Sequence, residues 1–236
     1  MIKTYIAFDL ETTGLDVETE EIIEIGAVKV KDGKVVDRFM EFIKPEKAIT
    51  AAITNITGIT NEMVATARGA EAVMKDFVSF CEDYVLVGHN IQFDYKFSKR
   101  FAAKFGLPFE KKGIDTLKIA RVVHKDMESK SLGTLCEHYQ IVNPAAHRAY
   151  YDALATAKLY QTLAHYFGEQ EPKVFEPENL FYKPKKVQPI TKKQKEFLEG
   201  LIAQYKLKPM EQLDSMTRSE ASKKIDEILS SYGYNR

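Results

Sequence analysis

Tryptophan is absent from this 236-residue chain, and cysteine occurs only twice, at Cys81 and Cys136. Both thiols fall in apolar, helix-like stretches without metal-type spacing, so they read as buried free cysteines rather than a disulfide or a zinc site. No apolar run approaches the roughly 18 residues that a membrane span needs. The opening MIKTYIAFDLE runs from a short apolar stretch straight into an acidic pair and lacks a signal peptide's apolar region and cleavage site. A reducing cytoplasm is the expected location, with no membrane partner. Excess charge of either sign is also missing: 34 basic residues balance 34 acidic ones. That argues against a protein that coats nucleic acid by bulk charge. It leaves open an enzyme that holds a few nucleotides beside metal ions. The balance is uneven, because residues 1–170 carry 21 Lys/Arg against 24 Asp/Glu, whereas residues 171–236 carry 13 against 10. The mildly basic tail hints at a nucleic-acid or acidic partner.

What is present is a globular composition, with 44% apolar and 29% charged residues. Residues 2–9 read as a buried strand ending in a carboxylate. Residues 22–30 and 34–43 read as two more strands, and Asp32-Gly33 between them is a hairpin-turn signal. Ala70, Val73, Met74, Phe77 and Cys81 fall on one face of a helix. A short apolar run at 84–88 predicts a central strand, and residues 91–105 a helix whose Lys96, Lys99, Arg100 and Lys104 form a basic face. A short strand at 113–115 leads into a helix to about His124, with another near 131–139. A long helix starts near Arg148. Strands first, then strands alternating with helices, predict an α/β domain with a mixed sheet covered by helices. This first domain is expected over 1–168.

Residues 169–190 hold four prolines and no clear period, which predicts a linker or extended arm. Residues 191–236 predict a small helical hairpin. Thr191 with Gln194 and Thr217 with Glu220 make two capping boxes, each opening an amphipathic helix.

Three segments carry the candidate chemistry. In FDLETTG, Asp9 and Glu11 sit two apart on a strand, so both face one side. Two such carboxylates repel unless a cation sits between them. In GHNIQFD, a short strand runs into a helix start, with Asp94 near the first turn. His89 there reads as a structural residue, or one that supports a ligand, rather than as a ligand itself. In HRAYYDA, Asp152 follows His147 by five positions. On one helix that spacing is about 140°. The two therefore serve one site only if His147 lies in the approach loop and Asp152 in the first turns; Asn143-Pro144 supports a loop there. Singly, each acid has an ordinary explanation as a solvated strand-end or helix-start charge. Together, four acids on strand ends and helix starts, without a matching basic cluster, call for hard cations bound by oxygen.

FDLETTG, GHNIQFD and HRAYYDA resemble, in order and spacing, the three motifs of the DEDDh 3′→5′ exonucleases, a family that includes the proofreading epsilon subunit of bacterial DNA polymerase III. The resemblance covers about residues 1–168. The sister DEDDy group has a Tyr four residues before the last Asp; here that position is Arg148, and His147 fits the DEDDh pattern. The resemblance implies a ribonuclease H-like fold with a five-stranded mixed sheet. It implies two Mg²⁺ or Mn²⁺ ions, with Asp9 bridging both, Glu11 and Asp152 completing the coordination of the first ion, and Asp94 holding the second, partly through water. His147 is implied as general base. Thr12, Thr13, Gly14 and Leu15 are implied to clamp the 3′-terminal nucleotide, with Asn90 positioning the chain and Phe93 stacking nearby. For Leu15 and Phe93, core packing is an equal alternative. The basic helix face reads more naturally as a solvated face than as a phosphate track.

The leading expectation is an exonuclease acting on single-stranded or frayed DNA 3′ ends and releasing nucleoside 5′-monophosphates. An RNA 3′-end trimmer and a non-catalytic nucleic-acid-binding module are the alternatives. For the C-terminal hairpin, a DNA polymerase or another replication or repair protein is one expected partner, beside nucleic acid or the catalytic domain itself.

Overall fold

The computed structural model describes residues 1–184, 188–208, 210, 213 and 216–233. It divides into two compact units, Met1–Pro184 and Lys185–Arg236.

Three long strands open the first unit: β1 (Tyr5–Thr12), β2 (Ile22–Lys31) and β3 (Lys34–Lys44), paired antiparallel. Asp32 and Gly33 join β2 to β3 with φ of 50° and 78°, the positive pair that a tight hairpin turn of right-handed twist demands. Two short helices follow, α1 (Ala51–Thr57) and α2 (Asn61–Val64), capped by Thr50 and Thr60. Then come β4 (Arg68–Gly69), α3 (Ala70–Cys81), β5 (Leu86–Gly88), α4 (Ile91–Lys104), β6 (Lys112–Asp115), α5 (Thr116–Val123), α6 (Leu132–His138) and α7 (Ala149–Phe167). A single 3-10 turn at Pro172–Phe175 leads to β7 (Glu178–Asn179).

The sheet has the order β4-β3-β2-β1-β5-β6-β7. It is therefore seven-stranded rather than five-stranded. The two extra members are two-residue strands at its edges, too short to leave a period in the sequence. β5 runs parallel to β1 and β6 parallel to β5, so the sheet is mixed as expected. One face buries Phe8, Leu10, Phe77 and Tyr95 beneath α3 and α4. The other buries Tyr5, Ala7, Val28 and Tyr160 beneath α7. β1 and β2 are covered on both faces, which explains the near-continuous apolar sequence of β2.

Two expectations need correction. β1 does not end at Asp9 but continues to Thr12, because Glu11 and Thr12 still pair with Glu24 and Ile22 of β2. The expected linker over 169–190 is, as far as Pro184, part of the first unit. Phe175 and Leu180 are buried in its two apolar clusters, and β7 pairs with β6. Apolar anchors spaced among prolines give no period to read. Residues 185–187 of that stretch lie outside the described residues.

In the second unit α8 (Lys192–Gln204) and α9 (Arg218–Tyr232) both carry the capping boxes expected at Thr191/Gln194 and Thr217/Glu220. Leu198, Leu201, Ala221, Ile228 and Leu229 form its small core. Residues 209, 211, 212, 214, 215 and 234–236 of the expected hairpin lie outside the described residues.

One glycine sets the spacing between α7 and the sheet. A Cβ on Gly26 of β2 would stand 2.0 Å from the Tyr150 backbone nitrogen and 2.1 Å from the Ala149 carbonyl carbon. The helix start thus lies directly on the strand, and backbone cannot swing aside as a side chain would. Gly26→Ala is expected to lower unfolding stability by about 3 kcal/mol, measured by urea denaturation; an unchanged midpoint and slope would contradict this contact.

Candidate active site

The strand alternation that builds β1 turns Asp9 and Glu11 to the same face. Opposite them in β2 lie Gly26 and Glu24. Because Gly26 has no side chain, the first turn of α7 reaches over the strand pair and brings Asp152 to β1. Asp9, Glu11 and Asp152 each offer a carboxylate oxygen, and these oxygens lie within 4.8 Å of one another. An all-oxygen set of this kind suits Mg²⁺ or Mn²⁺ in donor chemistry.

Asp94 occupies the first turn of α4 and is buried. Its Oδ1 accepts from the Leu10 backbone N–H at 3.1 Å, which ties the helix start to the strand between Asp9 and Glu11. Asp94 is therefore beside the trio rather than within it. Its charge is nevertheless the strongest of the charges acting on Asp9.

Electrostatics reflect this crowding. Burial pushes Glu11 up to about 8, with the charges of Asp152, Glu24 and Asp94 adding to it. Burial likewise raises Asp94 to about 8, against the Leu10 hydrogen bond, which lowers it. Asp9 is raised well above the usual carboxylate range by desolvation and by its acidic neighbours. Asp152 is also raised by burial, opposed by the hydrogen bond from Asn143 and by the nearby His147.

His147 sits where the HRAYYDA spacing requires, in the loop before α7. It is exposed and has φ of 63°, in the left-handed region. Arg148 is the helix N-cap, and Asp152 falls in the first turn. Asp152 is held at both oxygens: Asn143 Nδ2 donates to Oδ1 at 2.7 Å and the Arg148 N–H to Oδ2 at 3.1 Å.

Glu24, Gly26, Arg148 and Asn143 are the scaffold that motif reading did not single out as such. Glu24 is 4% exposed, and its carboxylate accepts from Arg148 Nη2 at 3.0 Å and from the Ala149 N–H at 3.1 Å. The Arg148 guanidinium also lies over the Phe42 ring, 5.2 Å from its centroid. The signal was available: a charged residue and a glycine interrupt the apolar run IIEIGAVKV.

The remaining candidates fall into two groups. Thr12, Thr13, Gly14 and Leu15 lead out of β1 into the loop to β2. Thr12 Oγ1 donates to the Gly14 carbonyl at 2.7 Å, and Thr13 Oγ1 to Glu20 Oε2 at 2.7 Å. Leu15 is 84% exposed, which excludes a core role. On the α4 side, Asn90 is exposed with φ of 69°, and its N–H donates to Asp115 Oδ1. Phe93 is half-buried against Phe97 and the core. His89 is structural, as expected, bonded to Thr116 Oγ1 and the Lys130 carbonyl. On the basic face of α4, Lys99 pairs with Glu110, Lys104 with Glu46, and Arg100 donates to the loop carbonyls of Val17 and Glu20.

The raised carboxylates predict a stability profile for the metal-free protein. Glu11 and Asp94 hold their protons to about pH 8 when folded but only to about pH 4 when unfolded. Between these values the folded state binds more protons, so stability falls as pH rises. In chelator, Tm should drop from about pH 5 to about pH 8, and Asp9→Asn should flatten that drop. A Tm that stays level or climbs over this range would show that the acids ionise without penalty.

Comparison with known proteins gives the family and the fold. A family model described as Exonuclease matches residues 6–160. A PolC-type DNA polymerase III from Caldanaerobacter subterraneus subsp. tengcongensis is 43% identical over 156 residues, 66% of this chain and 11% of that protein. The chain thus spans about a tenth of the length of the curated relatives it matches. Among solved structures, Exonuclease X in complex with 5′ overhanging duplex DNA is similar at a TM-score of 0.57 and 27% identity, covering 72% of this chain and 97% of that one. E. coli Exonuclease I in complex with a dA16 oligonucleotide shares the fold, at a TM-score of 0.62 and 18% identity, over 74% of this chain and 42% of that one. The chain belongs to the exonuclease family and carries its ribonuclease H-like fold.

Proposed function

We propose that this protein is a DEDDh-type 3′→5′ exonuclease that hydrolyses the terminal phosphodiester of single-stranded or frayed DNA. The observation that carries the reading is the convergence of Asp9, Glu11 and Asp152, with Asp94 beside them and an exposed His147 next to Asp152. DNA is favoured over RNA because similar proteins are PolC-type DNA polymerases III and an exonuclease bound to overhanging duplex DNA.

Asp9, Glu11 and Asp152, with Asp94 adjoining, would hold Mg²⁺ or Mn²⁺. When bound, such cations supply Lewis acidity toward the phosphodiester and offset the negative charge of the acids. The chain's own residues do the rest. His147 takes the proton from the attacking water, a role that suits an imidazole in an exposed loop. Asn143 and the Arg148 N–H fix both oxygens of Asp152. The Thr12–Leu15 turn and Asn90 hold the terminal nucleotide, and Leu15 offers an apolar surface to its base. The product is a nucleoside 5′-monophosphate, and the protein works in the cytoplasm. Its second unit is a docking element for a polymerase or another replication or repair protein.

The direct test is a time course on 5′-labelled DNA and RNA oligomers of one sequence with Mg²⁺, Mn²⁺ or EDTA. A metal-dependent ladder shortening from the 3′ end, faster on DNA, is expected. A faster RNA ladder would transfer the reading to RNA trimming, and tight binding without shortening would make the protein a binding module. His147→Ala should lower turnover by roughly 10²- to 10⁴-fold while Tm and Mn²⁺ affinity by calorimetry stay near wild type; near-full activity at neutral pH would remove His147 from the base role. Asp9→Ala should abolish cleavage and weaken Mn²⁺ binding, and retained Mg²⁺-dependent turnover would overturn the metal assignment.

A further inference from the structure

The chain after the 3-10 turn reaches the loop between β1 and β2. Residues 176–184 lie beyond the stretch matched by the exonuclease family, 6–160. They form a strap across the sheet edge. β7 pairs with β6, and Leu180 is buried so close to Gly113 that a Cβ there would stand 2.7 Å from Leu180 Cδ1. Two residues on, Tyr182 packs on the same apolar cluster, and its hydroxyl donates to Glu18 Oε1 at 2.7 Å.

Glu18 belongs to the loop between β1 and β2, the loop that carries Leu15. That loop is held from a second side by α4. Arg100 Nη1 donates to the carbonyl oxygen of Val17 and, at 3.1 Å, to that of Glu20. Burial draws the Arg100 guanidinium below its usual range, opposed by Tyr182 and the loop acids Glu18, Glu21 and Asp16. Inside the loop, the Glu18 N–H is bonded to Asp16 Oδ1 at 2.9 Å and Thr13 Oγ1 to Glu20. Val17 turns into the core cluster. Leu15, by contrast, projects outward.

An exposed leucine on an unbraced loop would lose conformational freedom each time it met a ligand. Bracing removes that cost before binding, which is the general advantage of pre-organisation. We propose that Tyr182 and Arg100 are positioning residues: strap and helix together clamp the 13–20 loop so that Leu15 is presented ready-made to the terminal nucleotide. The strap thereby sets affinity for the 3′ end without touching the substrate. This rests on the reading of the site as a 3′-end exonuclease.

Tyr182→Phe tests it, because the ring stays in its packing and only the hydroxyl bond is lost. Hydrogen–deuterium exchange over residues 13–20 of the full-length protein reads the brace without substrate. Kinetics on single-stranded DNA are compared with bis(4-nitrophenyl) phosphate, a phosphodiester with no nucleoside to clamp. The expected result is faster exchange over the loop and a KM for DNA raised roughly three- to tenfold. Turnover of the small diester should not change. In a Leu15→Ala background, Tyr182→Phe should raise KM no further, since both changes remove the same interaction. Unchanged loop exchange, unchanged KM, a fully additive double variant, or an equal loss on the small diester would each overturn the proposal. Failure of the exonuclease reading shows differently: the wild-type protein would leave both diesters intact, and loop exchange alone would then decide whether the brace exists.

Discussion

Mutual repulsion among carboxylates is the constraint around which this domain is organised. Asp9 and Glu11 stand on one face of β1, and Asp152 is brought against them from α7 while Asp94 adjoins from α4. Such a cluster opposes folding by itself, because burial and like charge both disfavour ionisation. It persists because the surrounding structure leaves the acids no other place. β1 and β2 are buried on both faces, so the carboxylates cannot swing out with the strand.

Two strand acids and two helix-start acids meet for a physical reason. Strand alternation delivers a same-face pair at two-residue spacing. Helix first turns present unpaired N–H groups and the positive end of the backbone dipole, which favour an anionic side chain. Asp94 and Asp152 both occupy such turns. The helix starts therefore partly offset the desolvation that the site imposes. The Glu24–Arg148 pair acts differently. A buried ion pair is weak evidence for stability, but this one also bonds the Ala149 N–H, so it fixes where α7 begins. With Gly26 beneath the same helix start, it decides how close Asp152 comes to Asp9.

Much of this was legible in the sequence. The hairpin at Asp32-Gly33, the apolar face of α3, the two capping boxes and the loop position of His147 each follow from local rules, and the structure has them all. The misses share a cause. β4 and β7 are two residues long, too short for any period, and the brief helices α1 and α2 carry no apolar stripe or motif that marks them. The strap over 176–184 is anchored by isolated residues such as Leu180 and Tyr182, and an isolated apolar residue among prolines looks the same in a linker. Lys99, Arg100 and Lys104 of α4 lie on a clean stripe, yet their partners Glu110, Glu46 and the loop carbonyls belong to other elements, which a helical period does not reveal.

The sequence by itself determined the chemistry: which acids and which histidine are available, on what kind of element each sits, and the motif order that points to the exonuclease family. Those properties are local, carried by spacing and residue type. Only the tertiary structure decided the geometry. It set Asp94 beside the carboxylate trio rather than within it. It left Leu15 exposed on a braced loop while Phe93 went half-way into the core. It also recruited Glu24, Gly26 and Asn143 to aim α7 and Asp152. Each of these depends on contacts between residues far apart in the chain, and the close approach at Gly26 depends on an atom that is not there.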